Sequence, residues 1–260
     1  MTVASGSTVL SGVVDADPAV RFTFSDVEDG NMSLTVGQVD GTARQRLAAA
    51  VGVRPGDMVF MQQVHGAGVA VVDVTDRGRG SGAHADGVQQ VDALVTFDCD
   101  VALAVLVADC VPVIVSDPHR AVAVIHAGRG GVMTGVVQAT LDAIASPAPD
   151  RLRAIIGPAI GGCCYEVPPE LAERVAAKVP TARSTTTWGT SALDLSTAVD
   201  AQLRASGVVD VSHVGKCTRC DGQRWFSHRR APGMGRQAGA VVRSSGAPLR
   251  QPAEGRHGYG

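Results

Sequence analysis

The stretch VADCVPVIVSDPHRAVAVIHAG, residues 107–128, predicts the centre of the fold. Two apolar runs, 111–115 and 121–125, flank the polar sequence Ser-Asp-Pro-His-Arg. Short β-branched runs bounded by turn residues are typical of buried strands, and Asp-Pro favours a turn. We therefore expect an antiparallel hairpin, which brings Cys110, at the head of the first strand, close to His126, at the end of the second.

Composition excludes several classes of protein. The 260 residues are 45% hydrophobic and 18% charged, which predicts a well-buried core. Aromatic residues make up 3% and the net charge is −2, so neither a stacking surface nor a basic field favours nucleic acid or a membrane surface. No apolar run approaches the roughly 20 residues of a membrane helix, and the N-terminus lacks signal-peptide features. We expect a soluble, cytoplasmic protein, as a monomer or a homodimer, with a small-molecule partner.

Strand-like and helical segments are interspersed along the chain. Periodicity and β-branched content predict strands at 22–24, 58–61, 69–74, 93–96, 102–107, 111–115, 121–125 and 152–156. Helical spacing and end signals predict helices at 43–51, 132–145, 169–179 and 196–206. This mixture predicts an α+β (mixed α/β) fold of layered sheets covered by helices. We expect one domain over 1–243 and a disordered tail over 244–260, which is rich in Gly, Pro and Ser.

A third polar group joins the pair from the hairpin. His65, in QQVHGAGV, follows a short apolar run and precedes glycines, so it lies at a strand end where a ligand can approach the backbone. His65, Cys110 and His126 supply two nitrogen donors and one sulfur donor, a set that suits zinc with one position left open. The residues alone leave three alternatives: a metal site, a cysteine nucleophile with a histidine base, or core packing.

Four further segments carry possible chemistry. Glycines at 128–131 lead from a strand into a helix and suit an anion, with Arg129 adding charge. In FSHRR and the nearby GRQ, Arg229, Arg230 and Arg236 suit a phosphate or a purine edge. The cysteines of GGCCYEV would face opposite sides of a strand, which favours packing over shared ligation. CTRC could be half a zinc site or a redox pair, and without a second C-x-x-C a four-cysteine site would need Cys163 and Cys164.

Taken together and in order, these segments resemble the YfiH-like, laccase-domain family. The matching pieces are QQVHGAGV, VDALVT, ADCVPVIVSDP, HAG-x-x-G, IGPAIGGCCYEV, LDL, CTRC and FSHRR…GRQA, which span about residues 60–240. The resemblance implies a layered α/β/β/α domain and zinc, with copper as an earlier description, bound by His65, Cys110 and His126. Arg129 and Gly130 stand where the family has Trp and Arg, and Thr-Ala-Arg-Gln at 42–45 stands where it has an Asn-Arg pair.

The resemblance also implies a reaction. Family members are described as phosphorylases of adenosine, guanosine and methylthioadenosine with adenosine deaminase activity, so purine nucleoside and phosphate are the expected partners. Asp92 and Asp109 are then candidates for protonating the leaving base. The alternatives are a cysteine hydrolase or peptidoglycan-precursor editing protein with Cys110 as nucleophile, a metal-binding protein without turnover, and a copper oxidase.

Overall fold

The computed structural model describes residues 2–3, 10–16, 19–117 and 119–245. Within these residues the α-helices are α1 Ala43–Val51, α2 Arg129–Thr134, α3 Val136–Ile144, α4 Pro169–Ala176 and α5 Leu195–Ala205. The strands are β1 Thr2–Val3, β2 Leu10–Ala16, β3 Ala19–Phe24, β4 Met58–Val59, β5 Val69–Val71, β6 Ala93–Thr96, β7 Ala102–Val107, β8 Val111–Asp117, β9 Ala121–Ala127, β10 Arg153–Ile156, β11 Arg183–Thr185, β12 Ser191–Leu193, β13 Asp210–His213 and β14 Gln237–Arg243.

Two mixed sheets are stacked between helices. The first has the order β1-β2-β3-β14-β7-β4, and the second has the order β13-β10-β8-β9-β6-β5. Strands β11 and β12 pair as a separate ribbon. The prediction of a mixed α/β fold with layered, mixed sheets is confirmed.

Alternation of side chains along the central strands creates the layers. In β9, Ala123 and Ile125 pack in the core formed with α2–α5, whereas Val122 and Val124 pack in the core between the two sheets. Strand β7 alternates in the same way between the inter-sheet core and a third core that it shares with α1. Since successive strand residues point to opposite faces, strands buried on both sides need nearly continuous apolar sequence, as the opening stretch has.

The predicted hairpin forms and determines where the site lies. Strands β8 and β9 pair antiparallel, with Pro112 opposite His126. Cys110 lies in the loop immediately before β8, so it is brought to the end of β9 as the sequence predicts. The loop before β6 carries Asp92, and the segment after β4 carries His65. Both reach the same end of the second sheet, so Asp92 and His65 lie beside Cys110 and His126.

The helix predicted over 132–145 is two helices. Gly135 has a φ of 89°, a left-handed conformation that ends α2 and begins α3 in a new direction. The helix also begins earlier than predicted, at Arg129. The sequence did not identify β14, a central strand of the first sheet, because its short small-residue run QAGAVVR carries little β-signal.

The C-terminal tail and the length of the helices concern the chain as a whole. Most of the predicted tail, residues 246–260, lies outside the described residues, and the boundary at 243 stays a prediction. Among the helices that the structure describes, none combines the length and the apolarity that crossing a membrane requires.

Candidate metal centre and adjoining cavity

The structure brings His65, Cys110 and His126 together. One ligand atom from each residue lies within 4.8 Å of the others, and the two imidazole rings meet edge to face with centroids 4.7 Å apart. His126 is buried, Cys110 is half-buried and His65 is exposed, so the cluster opens to solvent on the His65 side. Two nitrogens and a sulfur at this spacing fit a tetrahedral zinc ion with one position left for a ligand.

Asp92 organises the cluster from behind. Its fully buried carboxylate accepts hydrogen bonds from the backbone N–H groups of Val64 (3.3 Å), His65 (2.9 Å) and Gly66 (2.7 Å). The same carboxylate lies 2.7 Å from Nδ1 of His126. It therefore holds the His65 turn, in which His65 has a left-handed φ of 61°, and leaves Nε2 of His126 for a ligand. These hydrogen bonds outweigh burial and keep the pKa of Asp92 below its usual value.

Asp92 as a general acid stays a prediction, and its surroundings favour a different role. Its carboxylate is fully buried behind the two histidines, and Asp92 does not line the cavity described below. It is a positioning residue for the two histidines.

The glycines of the HAGRGG loop make room for the cluster. A Cβ on Gly128 would lie 2.9 Å from Cδ2 of His65 and 3.3 Å from Sγ of Cys110, and a Cβ on Gly130 would lie 2.4 Å from the carbonyl oxygen of His65. These contacts are tighter than side chains tolerate. The glycines thus allow the His65 loop to lie close to this segment. The sequence indicated glycine here for anion binding, and close packing is a second reason for it.

Gly128→Ala is expected to disrupt the centre without changing a ligand. The added methyl group would displace His65 or Cys110, so we expect zinc affinity to fall by about 10- to 100-fold, the usual cost of disturbing the groups that support metal ligands. Isothermal titration of the metal-free variant with zinc measures this. Gly56→Ala is the control, because a Cβ at Gly56 meets no atom within 4 Å. Gly135→Ala is unsuitable because the positive φ of Gly135 would strain an alanine. Unchanged zinc affinity in Gly128→Ala would contradict the assigned geometry.

In the metal-free protein, Cys110 and His126 form a charged pair. Burial raises the pKa of the Cys110 thiol, but hydrogen bonds to His126 and His65 outweigh it and bring the pKa down to about 6. Burial lowers the pKa of His126, but hydrogen bonds to Asp92 and Cys110 outweigh it and raise the pKa to about 9. Near neutral pH the pair is therefore thiolate and imidazolium, and a binding metal displaces the imidazolium proton.

A cavity of about 500 Å³ adjoins the cluster. This volume is within the range of small-molecule sites. His65, Cys110 and His126 line it together with apolar side chains, which include Leu34, Val36, Met61, Leu106, Ile160 and Leu195. Its polar lining includes four arginines, which are Arg44, Arg129, Arg229 and Arg236.

The predicted arginines separate into two groups. Arg129 lines the cavity near Tyr165, and Arg229 lines it with its guanidinium 5.1 Å from the Tyr165 ring centroid. Arg230 does not line the cavity. It donates to the carbonyl oxygens of Thr218 (2.8 Å) and Trp225 (2.6 Å), so it holds its own loop together.

Asp109, the second carboxylate singled out from the sequence, lines the cavity beside Cys110. Its carboxylate accepts hydrogen bonds from Thr218 Oγ1 and from the backbone N–H of Arg229, each at 2.6 Å. Asp109 has a left-handed φ of 87° and accepts the Ile160 N–H on its backbone carbonyl. It therefore ties the loop before β8 to two loops of the cavity wall.

Sequence reasoning missed several residues of the cavity. Arg44 is 9% exposed, lies 3.9 Å over the Phe60 ring and donates to the carbonyl oxygen of Met32 at 2.8 Å. Burial lowers its pKa to about 10. Tyr165 was also missed, whereas Arg236 comes from the GRQ segment that the sequence groups with FSHRR. Arg44 belongs to the Thr-Ala-Arg-Gln segment noted as a departure from the family, and it brings a cation to the cavity from there.

Known proteins share this sequence and fold. Residues 25–244 match the family of multi-copper polyphenol oxidoreductase laccases. A purine nucleoside phosphorylase of Streptomyces coelicolor is 47% identical over 220 residues, which cover 82% of this chain and 88% of that protein. A purine nucleoside phosphorylase of Corynebacterium glutamicum is 38% identical, covering 90% of this chain and 92% of its own.

Solved structures agree with these relatives. The crystal structure of YlmD from Geobacillus stearothermophilus has a TM-score of 0.76 at 33% identity and covers 88% of this chain and 94% of its own. The YfiH protein of Bacillus licheniformis has a TM-score of 0.77 at 27% identity, covering 86% of this chain and 92% of its own. In sequence and in fold, the chain belongs to the YfiH-like, laccase-domain family.

Proposed function

We propose that the protein is a zinc-dependent purine nucleoside phosphorylase that also deaminates adenosine, with His65, Cys110 and His126 as its metal ligands. The observation that carries the proposal is the juxtaposition of this three-ligand cluster with a cavity lined by four arginines. Relatives named purine nucleoside phosphorylase support the reaction class.

The donor set favours zinc over several coppers. One imidazole–imidazole–thiolate set of this geometry is a normal zinc site, and the cysteine ligand would be deprotonated readily because its pKa is already near 6. When bound, zinc supplies a Lewis acid that can lower the pKa of a water molecule towards neutrality. A single N/N/S set could also hold copper, so metal identity is part of the test.

The cavity side chains suit a nucleoside together with phosphate. Guanidinium groups of Arg129, Arg229 and Arg236 can bind phosphate oxygens in pairs, and Arg44 is already largely desolvated, which strengthens its attraction for an anion. Apolar side chains and the Tyr165 ring offer a surface for a purine base.

Proton transfer would fall to Asp109. In phosphorolysis a phosphate oxygen bonds to the ribose C1′, the C1′–N9 bond breaks, and its electron pair and a proton end on the purine. Asp109 lines the cavity, unlike Asp92, so it is the carboxyl group of the two that can reach a substrate.

Product analysis distinguishes the two reactions. Zinc-loaded protein is incubated with adenosine, guanosine or methylthioadenosine, with and without phosphate, and products are separated by chromatography. We expect free base only when phosphate is present, and inosine from adenosine in either case. Inosine with no free base would support deaminase activity without phosphorylase activity. Neither product from any nucleoside would support a metal-binding protein without turnover.

A second candidate is a cysteine hydrolase. Its support is that Cys110, His126 and Asp92 form a thiolate–imidazolium–carboxylate series in the metal-free protein. In such an enzyme, including one that edits a peptidoglycan precursor, zinc would block the nucleophile. Activation of nucleoside turnover by zinc therefore favours the first proposal, and inhibition of amide hydrolysis by zinc favours the second.

The pH dependence of alkylation tests the charged pair itself. Because the pKa of Cys110 is lowered to about 6, its thiolate forms as the pH rises through about 6, well below the usual range near 9. In metal-free protein we expect iodoacetamide to modify Cys110 with a midpoint near pH 6, measured by peptide mapping. A midpoint above pH 8 would contradict the pairing, and His126→Ala should move the midpoint upward.

A further inference from the structure

Four cysteines outside the first centre form a second cluster. One Sγ atom from each of Cys163, Cys164, Cys217 and Cys220 lies within 4.8 Å of the others. The Cys164–Cys220 and Cys163–Cys220 sulfur distances are 3.4 and 3.7 Å, and all four thiols are free. Cys164 is buried, Cys163 and Cys217 are half-buried, and Cys220 is exposed, so an ion could reach the cluster from solvent.

Sheet topology explains why two distant segments meet here. Strands β10 and β13 are parallel neighbours, with Ile156 opposite His213. Because the strands are parallel, the chain leaves both at the same end of the sheet, so the loops that carry Cys163–Cys164 and Cys217–Cys220 lie side by side. Cys163, Cys164 and Cys220 lie in turns, and Cys217 directly precedes one. The expectation that Cys163 and Cys164 face opposite sides of a strand, as core packing, was wrong for this reason.

The backbone around the cluster is arranged for a thiolate. The N–H of Gly161 donates to Sγ of Cys217 at 3.3 Å. Gly161 also lets the sulfurs approach, since a Cβ there would lie 3.2 Å from Sγ of Cys163.

We propose that Cys163, Cys164, Cys217 and Cys220 form a second metal site, which takes a zinc ion and is separate from the His65–Cys110–His126 centre. A tetrahedral zinc ion with Zn–S bonds of about 2.3 Å places its sulfurs about 3.8 Å apart, close to the spacing of these thiols. Four protein ligands leave no position for water or substrate, which is the arrangement of a structural zinc site.

The ion would join two walls of the cavity. Tyr165, which lines the cavity, follows Cys164 directly, and Arg219 donates to the Cys164 carbonyl oxygen at 3.3 Å. Thr218, between the other two cysteines, donates to Asp109, and its N–H donates to the Ala159 carbonyl oxygen. A tetrathiolate zinc would thus hold Tyr165 and Asp109 in position. This consequence rests on the proposed function, whereas occupation of the site does not.

Thiol mapping on the unaltered protein tests occupation. The full chain, purified under reducing conditions and loaded with zinc alone, is treated with iodoacetamide before and after removal of zinc by a chelator. We expect all four thiols to be protected with zinc and alkylated without it, while Cys99, which lies outside both clusters, reacts equally in both states. Equal alkylation of the four thiols in the two states would overturn the proposal. So would thiols that stay unalkylated after zinc removal because they are joined in disulfides.

Metal counting on variants separates the two sites. We expect about two zinc ions per chain in the unaltered protein and in Cys99→Ser, and about one in Cys217→Ser and in Cys110→Ala. Cobalt substitution adds a readout, because four thiolates give far stronger sulfur-to-cobalt absorption than one. That absorption should persist in Cys110→Ala and disappear in Cys217→Ser. One zinc per chain in the unaltered protein and an unchanged cobalt spectrum in Cys217→Ser would refute the second site even if nucleoside turnover is present.

Discussion

Cys110→Ala is expected to abolish nucleoside turnover and to release the metal from the first centre. The substitution removes the sole sulfur donor of the His65–Cys110–His126 cluster, and two imidazoles alone hold zinc weakly. Disturbing a supporting residue of a metal site costs about 10- to 100-fold, so losing a ligand should lower kcat/KM by more than about 100-fold. Steady-state assay with adenosine and phosphate, alongside metal analysis, measures both effects.

Cys99→Ser is the matched control for this substitution. Cys99 is half-buried, in neither cysteine cluster, and should retain full activity after replacement. Circular dichroism and thermal unfolding establish that both variants fold. Full turnover in folded Cys110→Ala would remove Cys110 from the reaction and with it both the metal-centre and nucleophile proposals.

Asp92→Asn should have the second largest effect. The carboxylate accepts three backbone N–H groups and pairs with His126, whereas a carboxamide carries an NH₂ group that must face at least one of these donors. Removing one partner of a buried charged pair typically costs about 3–5 kcal/mol of stability. We also expect zinc affinity to fall by about 10- to 100-fold, because the His65 turn and the His126 tautomer lose their support.

Chemical denaturation and zinc titration measure the two losses separately. Asp98→Asn is the control, since Asp98 also accepts a backbone N–H, from Val74 at 3.0 Å, but in a solvent-exposed hydrogen bond away from the cluster. An Asp92→Asn protein with unchanged zinc affinity and unchanged unfolding free energy would contradict the positioning role. Loss of zinc affinity with stability intact would confine that role to the metal site.

The hairpin and the three-ligand cluster were predictable because local signals specify them. Two uninterrupted apolar runs and one Asp-Pro turn predict the pairing of β8 with β9, and antiparallel pairing then brings Cys110 to His126. His65 was found from its donor chemistry and its glycine neighbours. The resemblance to a known family turned three separate donors into one expected site.

The remaining parts of the site depend on tertiary contacts that periodicity does not encode. The role of Asp92 follows from three consecutive amides about 27 residues earlier in the chain, and nothing in VDALVT distinguishes a positioning carboxylate from an acid. Arg44 reaches the cavity from α1, a helix on the far face of the first sheet. The four-cysteine cluster needs the parallel pairing of β10 with β13, and β13 was not among the predicted strands.

Phosphate dependence of base release tests the central claim most directly. Zinc-loaded protein is given adenosine and inorganic phosphate, and free base and ribose 1-phosphate are quantified over time. The account predicts that free base, counted as adenine plus any hypoxanthine formed by way of inosine, and ribose 1-phosphate appear in equal amounts, only with phosphate present, and that Cys110→Ala forms neither. Free base released without phosphate, or no free base from metal-loaded protein with phosphate, would contradict it.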